Sequence, residues 1–436
     1  MNRIKIFVSA MCLFLLFLTA CGSSKEESQE NQSVKISESG KKVITLSMGV
    51  LDMQLEKAVD AFNRTNAKYE VEIITLEENS TMEEYIEREN VALTTSSGPD
   101  LFCKTGFMDF TNFIDKGIME NLTPYIERDL KAEDYVESAL YAYAVDENIY
   151  AIPMNFCLNL MVTDESLLGN PVSTDGWTYK DIISAMENNP QIEYVTGNDE
   201  NSEILRILVG LGGISYTDFE AIKECILFAD KYQGSLPDEE DIVLGKNVLV
   251  SEVQIGNALA WADIRMYYGD NVVPIGYPRQ SGSGIRHGSQ GISMNANSDN
   301  KEGAWEFIKF LLSEEYQNRL ETWFSPLKSV FERQLTTYLT PSSFEVYIEE
   351  IGETVTGSNP YYLPNSGEYI DCMTGEQINE LRHMVEVSDS FVFDMNFEAW
   401  LIISEEAEAY FNGQRDIDGT MNNIENRINL YMSEKE

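Results

Sequence analysis

Histidine is nearly missing from this chain: His287 and His383 are the only two among 436 residues, too few to build a histidine-based metal site or to activate a nucleophile. Cysteine is little better represented. Cys12 lies in the first apolar run, and the other five, Cys21, Cys103, Cys157, Cys225 and Cys372, show no CxxC pair and no zinc-like spacing. No metal or cofactor is therefore expected, and one disulfide among the last four is left open. Positive charge is scarce too, with 31 basic residues against 73 acidic ones and a net charge of −42. Such a surface repels nucleic acid and slows anionic ligands, which favours neutral or cationic partners, although acidity also simply keeps a chain soluble. Internal repeats, low-complexity stalks and a GxxxxGK[ST] loop are absent, which argues against a surface adhesin and against nucleotide hydrolysis by this chain. Carboxylate pairs such as Glu83-Glu84 and Glu349-Glu350 are adjacent in sequence, and neighbours on a helix do not face one substrate. A glycan-acting enzyme is thus the weaker reading, and no enzymatic activity is expected.

A long apolar run occurs once, from Ile6 to Ala20, interrupted only by Ser9 and Thr19 and preceded by Arg3 and Lys5. It is short for a membrane span and has the layout of a secretory signal over residues 1–20. Its end, Leu18-Thr19-Ala20-Cys21, resembles the bacterial lipobox, where small residues precede the thiol that receives lipid. That resemblance implies cleavage before Cys21, acylation of Cys21 and a location on the extracytoplasmic face of the cell membrane. At roughly 0.8 kcal/mol per buried methylene, two or three acyl chains make a stable anchor. Residues 21–42 then turn to Ser, Glu, Gln, Lys and Asn, a composition that cannot offset its own ordering entropy and reads as a tether. About 20 such residues reach roughly 25 Å.

Beyond the tether, short β-type runs alternate with helical periodicity. Val43 to Met48 reads as a strand, Met53 to Asn66 as a helix, Tyr69 to Leu76 as a strand and Met82 to Thr95 as a helix; Asp100 to Cys103 is a strand and Phe107 to Lys116 a helix stopped by Gly117. Tyr150 to Thr163 is a long apolar segment broken only by Pro153, Asn155 and Asn159, which fits a buried strand crossing between two lobes. Trp177 to Asn188 and Ile204 to Leu211 read as helices, Ala258 to Ala262 and Val272 to Tyr277 as strands, and Ser281 to Ser289 as a Gly- and Ser-rich loop. Gly291 to Ala296 is the expected return crossing, Gly303 to Leu312 a strong amphipathic helix, and the last hundred residues mostly helical. The expected fold class is α/β with two lobes, each a mixed sheet flanked by helices, and a cleft between them. The expected division is 43–150 plus about 291–325 for the first lobe and 151–290 plus about 326–436 for the second.

Several segments together resemble the extracellular solute-binding protein family 1, the carbohydrate-binding, maltose-binding-protein-like subunits of ABC transporters. They are Gly98-Pro99-Asp100-Leu101, Tyr150-Ala151-Ile152-Pro153, Gly176-Trp177-Thr178, Ile275-Gly276-Tyr277-Pro278, the run Asn300 to Leu312, and Glu405 to Gly413. Their order spans about nine tenths of the mature chain. The resemblance implies a monomeric, non-catalytic protein that closes on a small neutral solute, a carbohydrate above all, and delivers it to ABC permease subunits. A peptide, a polyamine or another non-sugar solute on the same fold is the alternative.

Sugar sites need aromatic faces and planar polar groups, sought here where strands end. The candidates are Asp52 after the first strand, Lys104 and Phe107 after the third together with Thr105 and Asp109, and Asn155 on the crossing. If Ala260 to Tyr268 leaves a strand, Trp261, Asp263 and Arg265 share one face. The resemblance sets an aromatic platform here, closer to Met266 or Tyr267; Trp261 is either ligand-facing or core, and Asp263 and Arg265 either reach the ligand or pair with each other. Trp400 is similar in position to a second cleft tryptophan, with core packing as the other reading. Trp177, Trp305 and Trp323 read as packing residues.

Overall fold

The computed structural model describes residues 35–48, 52–75, 82–94, 98–103, 110–167, 177–196, 200–234, 244–279, 284–288, 291–320, 322–348, 353–388 and 397–435. Cys21, the signal, most of the tether, Lys104, Thr105, Phe107 and Asp109 lie outside the described residues.

The first sheet forms where the β-prone runs of the N-terminal part meet. Strand β1 (Lys42–Met48) leads into helix α1 (Met53–Thr65), β2 (Tyr69–Thr75), α2 (Met82–Leu93), β3 (Leu101–Cys103) and α3 (Phe110–Asp115). Helices α4 (Thr123–Asp129) and α5 (Glu137–Leu140) and the small ladder β4 (Ala144–Val145) with β5 (Asn148–Ile149) precede β6 (Ile152–Pro153). The sheet order is β2-β1-β3-β11-β6, where β11 is Gly291–Met294. β1 runs parallel to β2 and β3, whereas β11 is antiparallel to β3 and β6, so a late segment returns to complete the early sheet. Leu55, Ala58, Val59 and Phe62 bury the inner stripe of α1, as their spacing dictates.

Helix α10 (Lys301–Leu311) packs on the same sheet. A Cβ on Gly303 would stand 2.4 Å from Ile44 Cδ1 and 2.7 Å from the Tyr69 ring, so only glycine admits this approach. The Gly98-Pro99-Asp100 turn earns its place through the buried Asp100. Its Oδ2 accepts from the Thr45 amide (2.8 Å) and hydroxyl (3.0 Å), and its Oδ1 from Ser298 Oγ (2.6 Å) and Asn300 Nδ2 (3.3 Å). One carboxylate thus fastens β1 to the turn that starts α10.

The second sheet is antiparallel, ordered β10-β7-β8, from β7 (Cys157–Asp164), β8 (Val250–Ile255) and β10 (Arg286–Gly288), with β9 (Val272–Pro274) also on β7. One face packs against α6 (Tyr179–Asn188), α7 (Asn201–Leu205), α8 (Phe219–Tyr232), α14 (Phe397–Phe411) and α15 (Ile417–Lys435). The other packs against α9 (Ala258–Tyr268), α12 (Lys328–Thr336) and α13 (Gly375–Glu386). Helix α11 (Glu314–Gln317) closes the first lobe before the chain leaves it.

Four expectations need correction. Ser281 to Ser289 is not loop throughout, since Arg286–Gly288 forms β10 against β7. Tyr150 to Thr163 is not one strand: β6 belongs to the first sheet and β7 to the second, and the chain crosses at 154–156, directly after Pro153. Ala258 to Ala262 is helix, not strand, because the Asn257 side chain accepts from the Ala260 amide as an N-cap and Gly269 at φ 102° ends the helix. The C-terminal part also holds two hairpins, β12 (Ser343–Ile348) with β13 (Glu353–Ser358) and β14 (Tyr361–Leu363) with β15 (Glu368–Ile370), where helix was expected.

Candidate functional site

The lobes meet where the crossings run side by side. Phe156 donates its amide to Phe324 O and Phe324 its amide to Phe156 O, both at 2.9 Å. Around this pair, polar side chains gather. Asn155 Nδ2 lies 3.5 Å from Gln54 Oε1, and Gln54 Nε2 donates to Thr322 Oγ1 at 3.2 Å. Gln54 sits in the first turn of α1, and Asp52 fixes that turn: its Oδ1 accepts the amides of Gln54 (2.7 Å) and Leu55 (2.9 Å). Asp52 is therefore a helix cap beside the junction, and Asn155 is tied to the lobe opposite the strand it leads into. The chain passes between the sheets a second time from β10 to β11 and a third time after α11; Trp323, read from the sequence as packing, stands half-buried on that third crossing next to exposed Thr322.

On the second-lobe side, strand register sets a row of polar groups. Antiparallel partners share a face, and Asn159 pairs with both Gln254 and Arg286, while Glu252 pairs with Met161. Asn159 Oδ1 accepts from Gln254 Nε2 at 3.0 Å. Glu252 accepts from the Tyr277 hydroxyl at 2.5 Å and pairs with Arg206, which also holds Glu203 at 2.8 and 2.6 Å. The Arg286 guanidinium lies over the Tyr277 ring, 5.4 Å from its centre. Glu252 and Gln254 are exposed and Asn159, Arg206 and Arg286 half-buried, so the row is open to a solute. Two guanidinium groups offset two carboxylates, leaving the patch neutral in a strongly acidic protein. Burial, then the neighbouring Glu252 charge, pushes the Tyr277 hydroxyl well up, which keeps it a proton donor.

Gly288 lets this row close up: a Cβ there would fall 2.2 Å from Asn159 Nδ2 and 2.6 Å from Cys157 Sγ. The Cys157 thiol is buried and pushed up to about 12 by desolvation, so it packs and does not react. A groove of about 480 Å³ continues over β8 past Gln254 to Tyr267, Tyr268 and Asn365. Among the described residues no group of three His, Cys, Asp or Glu side chains is placed to hold a metal ion.

Of the sequence-predicted residues, the structure brings Asp52 and Asn155 to the junction and leaves Tyr267 exposed on α9, its ring edge-on to Tyr268 at 4.8 Å. The α9 trio is a correction. Trp261 has no exposed surface and donates Nε1–H to Glu380 at 2.8 Å, so it offers no face to a solute. Asp263, also buried, accepts the amides of Asn365 and Ser366 at 2.8 Å each. Arg265 pairs with Glu380 at 3.0 Å and donates to Asp270 O; neither it nor Asp263 bonds the other. On a helix these residues point in different directions, and each satisfies a neighbouring element. Trp400 keeps 8% of its surface and packs in the core with Trp177. The polar row was missed because Asn159 and Gln254 lie nearly a hundred residues apart, and only strand register joins them.

The sequence profile of the bacterial extracellular solute-binding proteins matches residues 52–318. An ABC substrate-binding protein of Listeria monocytogenes, solved with cycloalternan, superposes with a TM-score of 0.52 at 17% identity, covering 90% of this chain and 99% of that one. The sugar-binding protein MalE of Xanthomonas citri gives 0.52 at 12% identity, with 90% and 98% covered. An ABC transporter solute-binding protein of Agrobacterium vitis with bound D-mannitol gives 0.50 at 16%, with 90% and 99% covered. No curated protein sequence matches the chain. At these identities the structures establish the two-lobed α/β fold. With the profile covering more than half its length, the chain belongs to the bacterial extracellular solute-binding proteins.

Proposed function

We propose that this protein captures a sugar or oligosaccharide in the cleft between its lobes and delivers it to the permease of an ABC importer, working as a monomer and without chemistry of its own. The observation that carries the ligand class is the open polar row of Asn159, Gln254, Glu252, Glu203, Arg206 and Arg286 on the second lobe, taken together with the polar groups Gln54, Asn155 and Thr322 at the junction. Planar amides, carboxylates and guanidinium groups offer paired donors and acceptors that match vicinal hydroxyls. Their cancelling charges suit a neutral solute, whereas a polyamine needs an acidic excess. The cycloalternan and D-mannitol bound by two structural neighbours, and the sugar-binding role of a third, support the same class. Capture then follows from contacts completed on both lobes only when the cleft closes.

We further propose that Cys21 carries lipid and holds the protein on the extracytoplasmic face of the cell membrane. A thermal-shift panel separates the ligand classes, since a solute at a hundred times its Kd adds about 2.7 kcal/mol to folding stability. Sugars are expected to raise Tm; silence from sugars with a rise from a polyamine or a peptide would sink the carbohydrate reading.

A further inference from the structure

Gln317 ends α11 and has no exposed surface. A buried primary amide is costly unless its donors and acceptor are used, and here they reach three different segments. Nε2 donates to Met154 O at 3.0 Å and to Leu311 O at 2.6 Å, and Oε1 accepts from Ser325 Oγ at 2.6 Å. Leu311 O is a carbonyl of the last turn of α10, which has no partner within its own helix. Met154 O sits just past β6, on the first-lobe side of the first crossing. Ser325 lies one residue beyond Phe324, on the second-lobe side of the third crossing. Ser325 is held in turn: its amide donates to Gln334 Oε1 at 2.9 Å, and Gln334 Nε2 donates to Trp323 O at 2.9 Å.

We propose that Gln317 is the pivot of lobe closure, a positioning residue whose amide clamps the first crossing to the third so that the lobes turn about one fixed point. Two crossings joined by the Phe156–Phe324 pair and the solvent-accessible Asn155–Gln54–Thr322 contacts could slide as well as rotate. The Gln317 amide adds a buried joint, out of line with the Phe156–Phe324 pair, on the first-lobe side. Rotation about backbone torsions near these joints stays cheap, while shear breaks buried hydrogen bonds that water cannot replace. The consequence is preorganisation: contacts from the two lobes arrive in register on the solute.

The inference rests on capture by closure, so its test is made without ligand. In a Cys21→Ser, Cys372→Ser background, which removes the N-terminal thiol and the exposed thiol among the described residues, Asp60→Cys on α1 and Asn188→Cys on α6, both exposed positions, carry spin labels on the two lobes. Gln317→Met keeps the volume and removes all three hydrogen bonds, and Ser325→Ala removes one. The distribution of label distances is expected to broaden about twofold in Gln317→Met and less in Ser325→Ala. A fall in Tm with an unchanged distribution assigns Gln317 to stability alone and overturns the proposal. Should Gln317→Met fail to fold, Ser325→Ala decides by the same criterion. Failure of every sugar to bind would sink the carbohydrate reading and leave this result standing.

Discussion

Replacing His287 with Gln is expected to make the second lobe less sensitive to acid. His287 lies on β10 with no exposed surface, its ring 4.9 Å from that of Phe156. Nε2 is 2.7 Å from Ser388 Oγ, which also reaches Val385 O at 2.7 Å, and Nδ1 has no hydrogen-bond partner among the described residues. If Ser388 donates to Val385, the ring donates from Nε2 and stays neutral with a bare Nδ1; charging it would bury an N–H with no acceptor. Desolvation accordingly lowers its pKa to about 3. The unfolded chain takes up this proton below about pH 6.5, and the folded chain only near 3. Stability from this group is full above 6.5 and is lost as pH falls through that window, at 1.36 kcal/mol per pH unit. Between pH 8 and pH 5 the loss comes to about 2 kcal/mol. The 73 carboxylates contribute their own pH dependence, but equally in both proteins. Urea unfolding followed by tryptophan fluorescence at the two pH values reads the difference: the wild type should lose about 2 kcal/mol more than His287→Gln. Parallel pH profiles would refute the buried neutral ring.

Other substitutions probe other joints. Asp100→Ala leaves the Thr45 amide and the Ser298 and Asn300 side chains without their shared acceptor, and should cost about 3 kcal/mol in thermal or chemical unfolding; a loss below about 0.5 would mean the carboxylate is dispensable. Gly303→Val pushes side-chain volume into Ile44 and Tyr69 and should destabilise by about 1–3 kcal/mol, whereas a gain would show that α10 can move away from the sheet. Trp323→Ala removes a half-buried aromatic beside the Gln54–Thr322 contact; a roughly tenfold weaker titration of any bound sugar is expected, and an unchanged Kd would place that ring outside the site. Cys21→Ser should abolish incorporation of labelled palmitate and release the protein from membranes, and persistent membrane retention would contradict the anchor.

Layering was legible because it depends on local periodicity. The stripe of α1, the Thr178 capping box of α6 and the apolar face of α10 can each be seen within a dozen residues. Helix α9 misled because polar Asp263 is buried within it and Trp261, Asp263 and Arg265 mimic strand alternation. Asn257 and Gly269, its cap and stop, were the better signal. The second hairpin after Thr340 had a usable signal, since Pro364-Asn365-Ser366-Gly367 between β14 and β15 is made only of turn residues, and reading the last hundred residues as helix passed over it. The site was least legible. Asn155 announced itself as a polar break in an apolar run, but the row on the second lobe is assembled from β7, β8, β10 and Arg206, partners brought together only by tertiary folding.

The most direct test is isothermal titration of the soluble chain, beginning at about residue 37, against a panel of mono- and oligosaccharides, repeated with Asn159→Ala and Gln254→Ala. Capture by the polar row predicts one-to-one binding of at least one sugar and a marked loss of affinity in both variants. Absence of heat from every sugar, or a sugar bound equally well by wild type and variants, would contradict it.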